Sequence, residues 1–370
     1  MEDTWYKIDN INEVDTPALV IYPDRVSYNI ETLKSFVSDV SRLRPHVKTH
    51  KSSEITKMLL EAGVSKFKCA TIAEAEMLAM AGASDVLLAY QPIGPKINRL
   101  VKLIERYPST TFSCLVDNEA SALQINEAME SIHHCIPVYI DINVGMNRTG
   151  IKPGPEALEL YLRLSKEEGL LPMGLHVYDG HLRDTDIKER TRRCDEAFKE
   201  VEKLKKELIE KDADDPIIIA GGTPTFPIHA KRKNVECSPG TFIYWDRGYG
   251  DILLEQPFHF AALVVTRVIS KPTASTICVD LGHKSIASEN ALVKRVFFLN
   301  AKGLEPIGHS EEHMILKHNG ESNLNVGDVL YGVPYHICPT CALYSTATIV
   351  LDGKAEARWN ITARNREINV

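Results

Sequence analysis

The chain predicts an α/β protein: an N-terminal (β/α)8 barrel of the TIM type followed by a C-terminal β-rich domain. Three observations lead there. Between residues 44 and 245, eight short apolar runs alternate with helical patterns, as in parallel strands joined by crossover helices, and eight strands close a barrel. Polar clusters follow several of these runs, at the strand ends where such a barrel carries its chemistry. Beyond about residue 250 the texture changes to β-branched runs and turns with few helical periods.

The predicted barrel strands are 44–48, 66–70, 85–90, 111–116, 136–142, 172–178, 216–220 and 240–245. A helix over 24–43 places Val26, Ile30, Leu33, Phe36, Val37 and Val40 at helical spacing, and 186–210 reads as a long, charged, amphipathic helix. A doubly wound sheet is the competing architecture. The β-rich part is marked by Ala261–Ile269, Thr276–Asp280 and Ala347–Leu351. The expected division is 15–248 for the barrel and 249–370 for the β-rich domain, with residues 1–14 a candidate addition to the latter.

Composition narrows the function classes. The chain has 370 residues, 44% of them hydrophobic and 25% charged, which is ordinary globular material. A formal net charge of -7 and a pI near 6.0 give no overall pull toward nucleic acid or an anionic membrane. The N-terminus has no basic region ahead of an apolar core, and no apolar run approaches the length of a membrane span. A cytoplasmic protein is expected, and its eight scattered cysteines read as reduced thiols rather than a disulfide framework.

Four clusters could carry chemistry. In Arg44-Pro-His46-Val-Lys48-Thr-His50-Lys51, Lys48 falls at the mouth of a βα unit among cationic neighbours that penalise its ammonium form. A lowered pKa would free an amine for a Schiff base with an aldehyde cofactor; the alternative is a solvated basic loop. Gly221-Gly222-Thr223-Pro-Thr225 follows a buried-looking strand, where N–H groups and hydroxyls could cradle a phosphate, and the Pro239-Gly240-Thr241 turn could complete it. Asp141 to Gly150 presents Arg148 in a glycine-bracketed loop able to hold an oxyanion. In His336-Ile-Cys338-Pro-Thr-Cys341, a strand would turn His336 and Cys338 to one side, where they could share a borderline-soft cation such as zinc. A redox Cys338–Cys341 pair, half of a structural zinc site, and a buried cysteine beside a core histidine are the alternatives there.

Taken in order, Arg-Pro-His-Val-Lys48-Thr-His-Lys, Asp-Ile-Asn-Val-Gly-Met-Asn-Arg148-Thr-Gly, Tyr178-Asp-Gly-His181, Gly-Gly-Thr-Pro-Thr225 and Pro334-Tyr-His336-Ile-Cys338-Pro-Thr resemble the D-threonine aldolase and D-serine dehydratase family. These alanine racemase-like enzymes join a pyridoxal 5'-phosphate barrel to a β-rich domain that carries a divalent metal. The resemblance implies that Lys48 carries the cofactor, Arg148 lies beside its ring oxygen, and Gly221, Gly222 and Thr223 hold its phosphate. Tyr178 joins the cofactor site, His181 sits near the substrate hydroxyl as a catalytic base, and His336 and Cys338 bind the metal, zinc or manganese. A homodimer is implied as well.

The expected substrate is a small D-3-hydroxy-α-amino acid, and the favoured outcome is retro-aldol cleavage to glycine and an aldehyde. Dehydration and deamination of D-serine or D-3-hydroxyaspartate, giving a keto acid and ammonia, is the alternative. His-x-Cys at the metal resembles the dehydratase branch, whereas Asn143 to Gly150 and the chain length resemble the aldolase branch. An amino-acid racemase and a non-catalytic pyridoxal phosphate carrier are the remaining readings. Asp280, His283 and Lys284, with Ser310 to His313, stay without an assigned role.

Overall fold

The computed structural model describes residues 4–318 and 323–370, so the first three residues of the N-terminal stretch lie outside the described residues. The chain divides into two units interleaved along the sequence. One comprises the chain through Thr32, Thr49–Ser52 and Thr241–Arg364; the other comprises Leu33–Lys48, Ser53–Gly240 and Asn365–Val370.

The first elements in chain order are β1 (Ala18–Ile21), α1 (Pro23–Ser35), α2 (Ser53–Glu61), β2 (Lys66–Cys69), α3 (Ile72–Met80), β3 (Asp85–Leu88), α4 (Pro95–Arg106), β4 (Thr111–Val116), α5 (Glu119–Glu130), β5 (Ile136–Ile142), α6 (Pro155–Leu164), β6 (Leu170–Val177), α7 (Ile187–Ile209), β7 (Ile217–Ala220), α8 (Phe226–His229) and β8 (Val235–Cys237). Strands β2 to β8 form a seven-stranded sheet in sequential order, and every pair is parallel. Short buried runs such as Ile-Ile-Ile-Ala in β7 suit a sheet covered on both faces.

The eighth place in the barrel differs from expectation. Residues 44–48 form no ladder, because Pro45 has no N–H to donate. Instead this segment bridges both edge strands, pairing Leu43 with Cys237 and His46 with Lys68 in parallel fashion. Arg44 N–H donates to Cys237 O, His46 N–H to Pro239 O, Lys68 N–H to Pro45 O and Val47 N–H to Lys68 O, each at 2.9 Å. The last strand is Val235–Cys237 rather than 240–245, where Thr241–Ile243 is a 3-10 turn. The helix expected over 24–43 stops at Ser35, since the Asp39 carboxylate accepts from Ser41 N–H and opens a separate 3-10 turn at Val40–Arg42.

Side chains fasten this closing segment. Arg44, 1% exposed, donates to both oxygens of Asp85 at 2.6 and 3.0 Å and to Glu236 at 2.7 Å, while Lys66 also pairs with Glu236. Removing one member of a buried ion pair strands the other's charge. Arg44→Ala should therefore cost about 3 kcal/mol, read as a lowered urea midpoint with the slope unchanged.

The β-rich unit adds α9 (Arg247–Gly250), β9 (Ala262–Thr273), β10 (Thr276–Val279), β11 (Val296–Phe298), β12 (Glu305–His309), β13 (Met314–Lys317), β14 (Val329–Pro334), α10 (Ile337–Cys341), β15 (Thr346–Leu351) and β16 (Lys354–Asn360). Its nine-stranded sheet follows the order β12-β13-β10-β9-β1-β15-β16, with β14 also on β9 and β11 on β14. Strand β1 lies antiparallel to β9 and parallel to β15, with Val20 opposite Leu263 and Thr348. One core gathers Val20, Leu263, Val265, Tyr331 and Val333, and a second gathers Val264, Ile277, Val279, Met314 and Leu316.

Candidate active site

At the C-terminal ends of the barrel strands, a cavity of about 460 Å³ is lined by His46, Lys48, Tyr90, Asp141 and Arg148, among others. Tyr178, which follows β6, anchors its cationic surroundings. Lys48 Nζ, Lys68 Nζ and Arg148 Cζ lie 5.8, 5.6 and 5.0 Å from the Tyr178 ring centroid. Such a ring attracts cations to its face, and the three positive groups favour an anionic ligand. Lys48 and Arg148 thus meet as expected, with Tyr178.

The cation set against Lys48 is one that the local motif did not reveal. Arg44 spends its charge on Asp85 and Glu236, and burial pushes the His50 ring down to about 3. Lys68, 2% exposed on β2, faces Lys48 instead. Burial and then the charge of Lys48 push the Lys68 ammonium down to about 7. Behind it, His176 Nδ1–H donates to Asp141 at 2.7 Å, and His176 Nε2 lies 3.5 Å from Lys68 Nζ. Burial tends to raise the Asp141 carboxyl, but the hydrogen bond and charge of His176, with Thr149 and Arg148, hold it below its usual value. A lysine between Phe67 and Cys69 in a short strand is the available signal.

The glycine loop after β7 is buried from Gly221 to Thr225. Gly221 has φ +78°, and a Cβ there would come within 2.8 Å of the His229 ring; one on Gly222 would come within 2.9 Å of the Tyr178 ring. Both positions need glycine for close approach. Their N–H groups, expected to hold phosphate, are used within the fold: Gly221 N–H donates to Val177 O at 3.0 Å and Gly222 N–H to Thr225 Oγ1 at 3.3 Å. Thr223 Oγ1 accepts from Gly240 N–H at 3.2 Å, which joins this loop to the Pro239-Gly240 turn. Next to that turn, Ser238 Oγ is buried without a hydrogen-bond partner among the described residues. An unsatisfied buried hydroxyl is costly, and a polar cofactor atom would relieve it. With the amine, the aromatic ring and Arg148 already in place, these groups fit pyridoxal phosphate.

His181 is partly buried, its Nδ1 has no hydrogen-bond partner among the described residues, and its Nε2 faces Gly145 of the Arg148 loop, where an added Cβ would approach to 3.1 Å. Burial lowers its pKa, so the ring can accept a proton at neutral pH.

In the β-rich unit, the strand expected to carry His336 and Cys338 ends at Pro334; His336 caps the five-residue α10 and Cys338 lies within it. The two side chains still meet through a hydrogen bond. Burial opposes the imidazolium, but Cys338, then Glu289 and Asp246, carry His336 up to about 9. Glu289 hydrogen-bonds His336 Nδ1 and so orients the ring. Asp246, pushed up to about 6 by burial, accepts from Ile337 N–H at 3.2 Å and so holds the backbone between the pair. Thr49 Oγ1, on the residue after Lys48 in sequence, lies 3.1 Å from Cys338 Sγ. Imidazole, thiol and carboxylate suit a borderline dication. Neither Glu289 nor Asp246 belongs to a local motif.

Asp179, Cys194 and His229 form a second cluster, buried in the barrel unit, with donor atoms close enough to share an ion. His229 Nε2 lies 2.8 Å from Asp179, and Thr225 Oγ1 donates to the same carboxylate at 2.6 Å. Arg232 reaches His229 Nδ1 at 2.9 Å and Cys194 Sγ at 3.9 Å, and a guanidinium there opposes a dication. The cluster instead braces the glycine loop through Thr225. Asp280 accepts from Thr16 and Thr266, and Lys284 pairs with Glu311 and Glu312. None of the eight cysteines forms a disulfide.

Residues 21–248 match the family model "Alanine racemase, N-terminal domain", and residues 261–350 match a serine dehydratase domain. The chain is similar to a D-threonine aldolase of Arthrobacter sp, 28% identical over 96% of this chain and 94% of that protein. It is 25% identical to a 3-hydroxy-D-aspartate aldolase of Paracoccus denitrificans (strain Pd 1222), over 96% of this chain and 93% of the other. The crystal structure of D-threonine aldolase from Filomicrobium marinum superposes with a TM-score of 0.86 at 28% identity, covering 95% of each chain.

Proposed function

Because the chain belongs to the alanine racemase N-terminal domain family, we propose that it is a pyridoxal 5'-phosphate- and divalent-metal-dependent lyase. Its reaction is the cleavage of D-3-hydroxy-α-amino acids between Cα and Cβ, giving glycine and an aldehyde. The observation that carries this reading is the meeting of Lys48 and Arg148 in one cavity at the barrel strand ends, 5.8 and 5.0 Å from the Tyr178 ring centroid. The similarity to two aldolases supports the retro-aldol outcome.

When bound, the coenzyme supplies an aldehyde carbon for amines and a ring that accepts an electron pair, and the metal supplies Lewis acidity at the hydroxyl. Lys48 holds the coenzyme through its amine, and Arg148 and Tyr178 orient the ring. Ser238 and Thr223 offer hydroxyls to its polar groups, with Gly221 and Gly222 permitting close approach. His181 takes the proton of the substrate 3-hydroxyl; the O–H electrons then form the aldehyde C=O as the Cα–Cβ bond breaks. His336 and Cys338 hold zinc or manganese, oriented by Glu289. The coenzyme chemistry is assigned to residues 15–248 and the metal to 249–370. The reading extends to a cytoplasmic homodimer. Among the described residues, no helix is long and apolar enough to cross a membrane.

Cys338, which gives the His-x-Cys pattern that resembles the dehydratase branch, favours a second reading, loss of water to a keto acid and ammonia. Product analysis with D-threonine and D-3-hydroxyaspartate, with and without chelator, separates the two. Glycine and aldehyde in equal amounts, lost on chelation, are expected. Keto acid and ammonia without glycine would move the assignment to the dehydratase. Enantiomer interconversion that survives chelation would make the protein a racemase, and no turnover at all a carrier.

A further inference from the structure

A second cavity in the barrel unit, of about 380 Å³, shares Ala70 and Tyr90 with the coenzyme cavity and has no part in the chemistry above. Its lining combines two kinds of surface. Lys96, Arg99 and Arg366 supply three cations, while Ala70, Ile72 and Leu88 supply apolar wall; none of its lining residues is acidic. Lys96 Nζ lies 5.2 Å from the Tyr90 ring centroid.

The third cation is brought there by a pinned C-terminal segment. Glu76, fully buried on α3, accepts from Asn369 N–H at 3.0 Å, Val370 N–H at 3.3 Å and Asn369 Nδ2 at 3.1 Å. Arg99 on α4 holds the same segment, donating from Nη2 to Arg366 O at 2.8 Å and Val370 O at 2.7 Å, and from Nε to Val370 O at 3.1 Å. These bonds use Nε and Nη2, so the guanidinium keeps its Nη1 donors. The acidic residues of α3 are spent elsewhere: Glu76 on the tail and Tyr107, and the fully buried Glu74 on Ala70 N–H at 2.6 Å.

We propose that this cavity binds a small organic dicarboxylate. Guanidinium forks and an ammonium match carboxylates. The apolar wall matches the carbon chain between them, and a volume many times the roughly 30 Å³ of a water exceeds what an inorganic anion fills. The carboxylate belongs either to a free dicarboxylic acid or to an acidic side chain of a substrate. The binding itself does not depend on the lyase reading; only the kinetic arms of the test do.

The test is calorimetric titration of the whole protein with succinate at fixed ionic strength, in the wild type and in Lys96→Gln and Arg366→Gln. Both side chains are exposed, so the fold tolerates the changes. One saturable site is expected, with Kd raised about tenfold in each variant, and inorganic phosphate should bind more weakly than succinate. Equal affinity in all three proteins, or heats that follow ionic strength alone, would overturn the proposal. Two kinetic arms assign the source. A KM raised in the variants for D-3-hydroxyaspartate but not for D-threonine places the carboxylate on the substrate. Unchanged KM values, with succinate altering wild-type turnover of D-threonine, identify a free dicarboxylate.

Discussion

On the proposed assignment, Lys48→Ala should abolish turnover, by roughly four orders of magnitude or more, because the covalent hold on the coenzyme is lost. The direct readout is chemical: borohydride treatment of the loaded wild type should fix the coenzyme on the peptide that contains residue 48, and the variant should take up none. Lys68 makes this a sharp test, since it is a second amine facing the same Tyr178 ring and burial leaves it unprotonated in part near neutrality. Label on Lys68 in the wild type would transfer the assignment from the closing segment to β2. Lys68→Met should leave the covalent attachment in place while shifting the pH at which the bound coenzyme's absorbance changes, because it deletes the positive group opposite Lys48.

His336→Ala should deplete the tightly held metal and lower turnover about 10²- to 10⁴-fold, the equivalent of the several kcal/mol that a Lewis acid contributes. Metal content after dialysis measures the first effect and steady-state kinetics the second. A pH signature accompanies it. In the metal-free protein His336 is carried up to about 9, so below that pH a cation must displace a proton from the ring. Metal affinity in the wild type should therefore rise about tenfold per pH unit between pH 6 and 8, and that slope should flatten in the variant. A wild type that retains full activity without metal would exclude the His336–Cys338 assignment.

Much of the barrel was legible because parallel strands buried on both faces leave short apolar runs that local reading can find. Ile217–Ala220 and the periodic helix Ile187–Ile209 are the plainest instances. The closing positions were not. Val235–Cys237 has a glutamate at its centre, which the buried Arg44 neutralises, whereas the more apolar 240–245 reads as a strand but holds the 3-10 turn Thr241–Ile243. Only pairing partners distant in sequence decide between such segments. The same limit applies at the site. Lys48, Arg148 and Tyr178 were readable from loops at strand ends. Lys68 was hidden inside a strand, and Glu289 and Asp246 reach the His336 segment across gaps of 47 and 91 residues. The glycine loop stands out in sequence by its place after a buried strand, but the partners of its N–H groups depend on the folded backbone.

The placement of β1 sets an order on synthesis. Its four residues, Ala-Leu-Val-Ile, leave the ribosome ahead of the other described strands, yet the neighbours on either side begin at Ala262 and Thr346. At roughly 5–20 residues per second, this β-prone segment waits on the order of 15 to 65 s for its second partner, long after the barrel strands have emerged. A nascent chain halted before residue 346 thus presents an adhesive N-terminal edge, and holdase chaperones should bind such stalled chains more avidly than the released product.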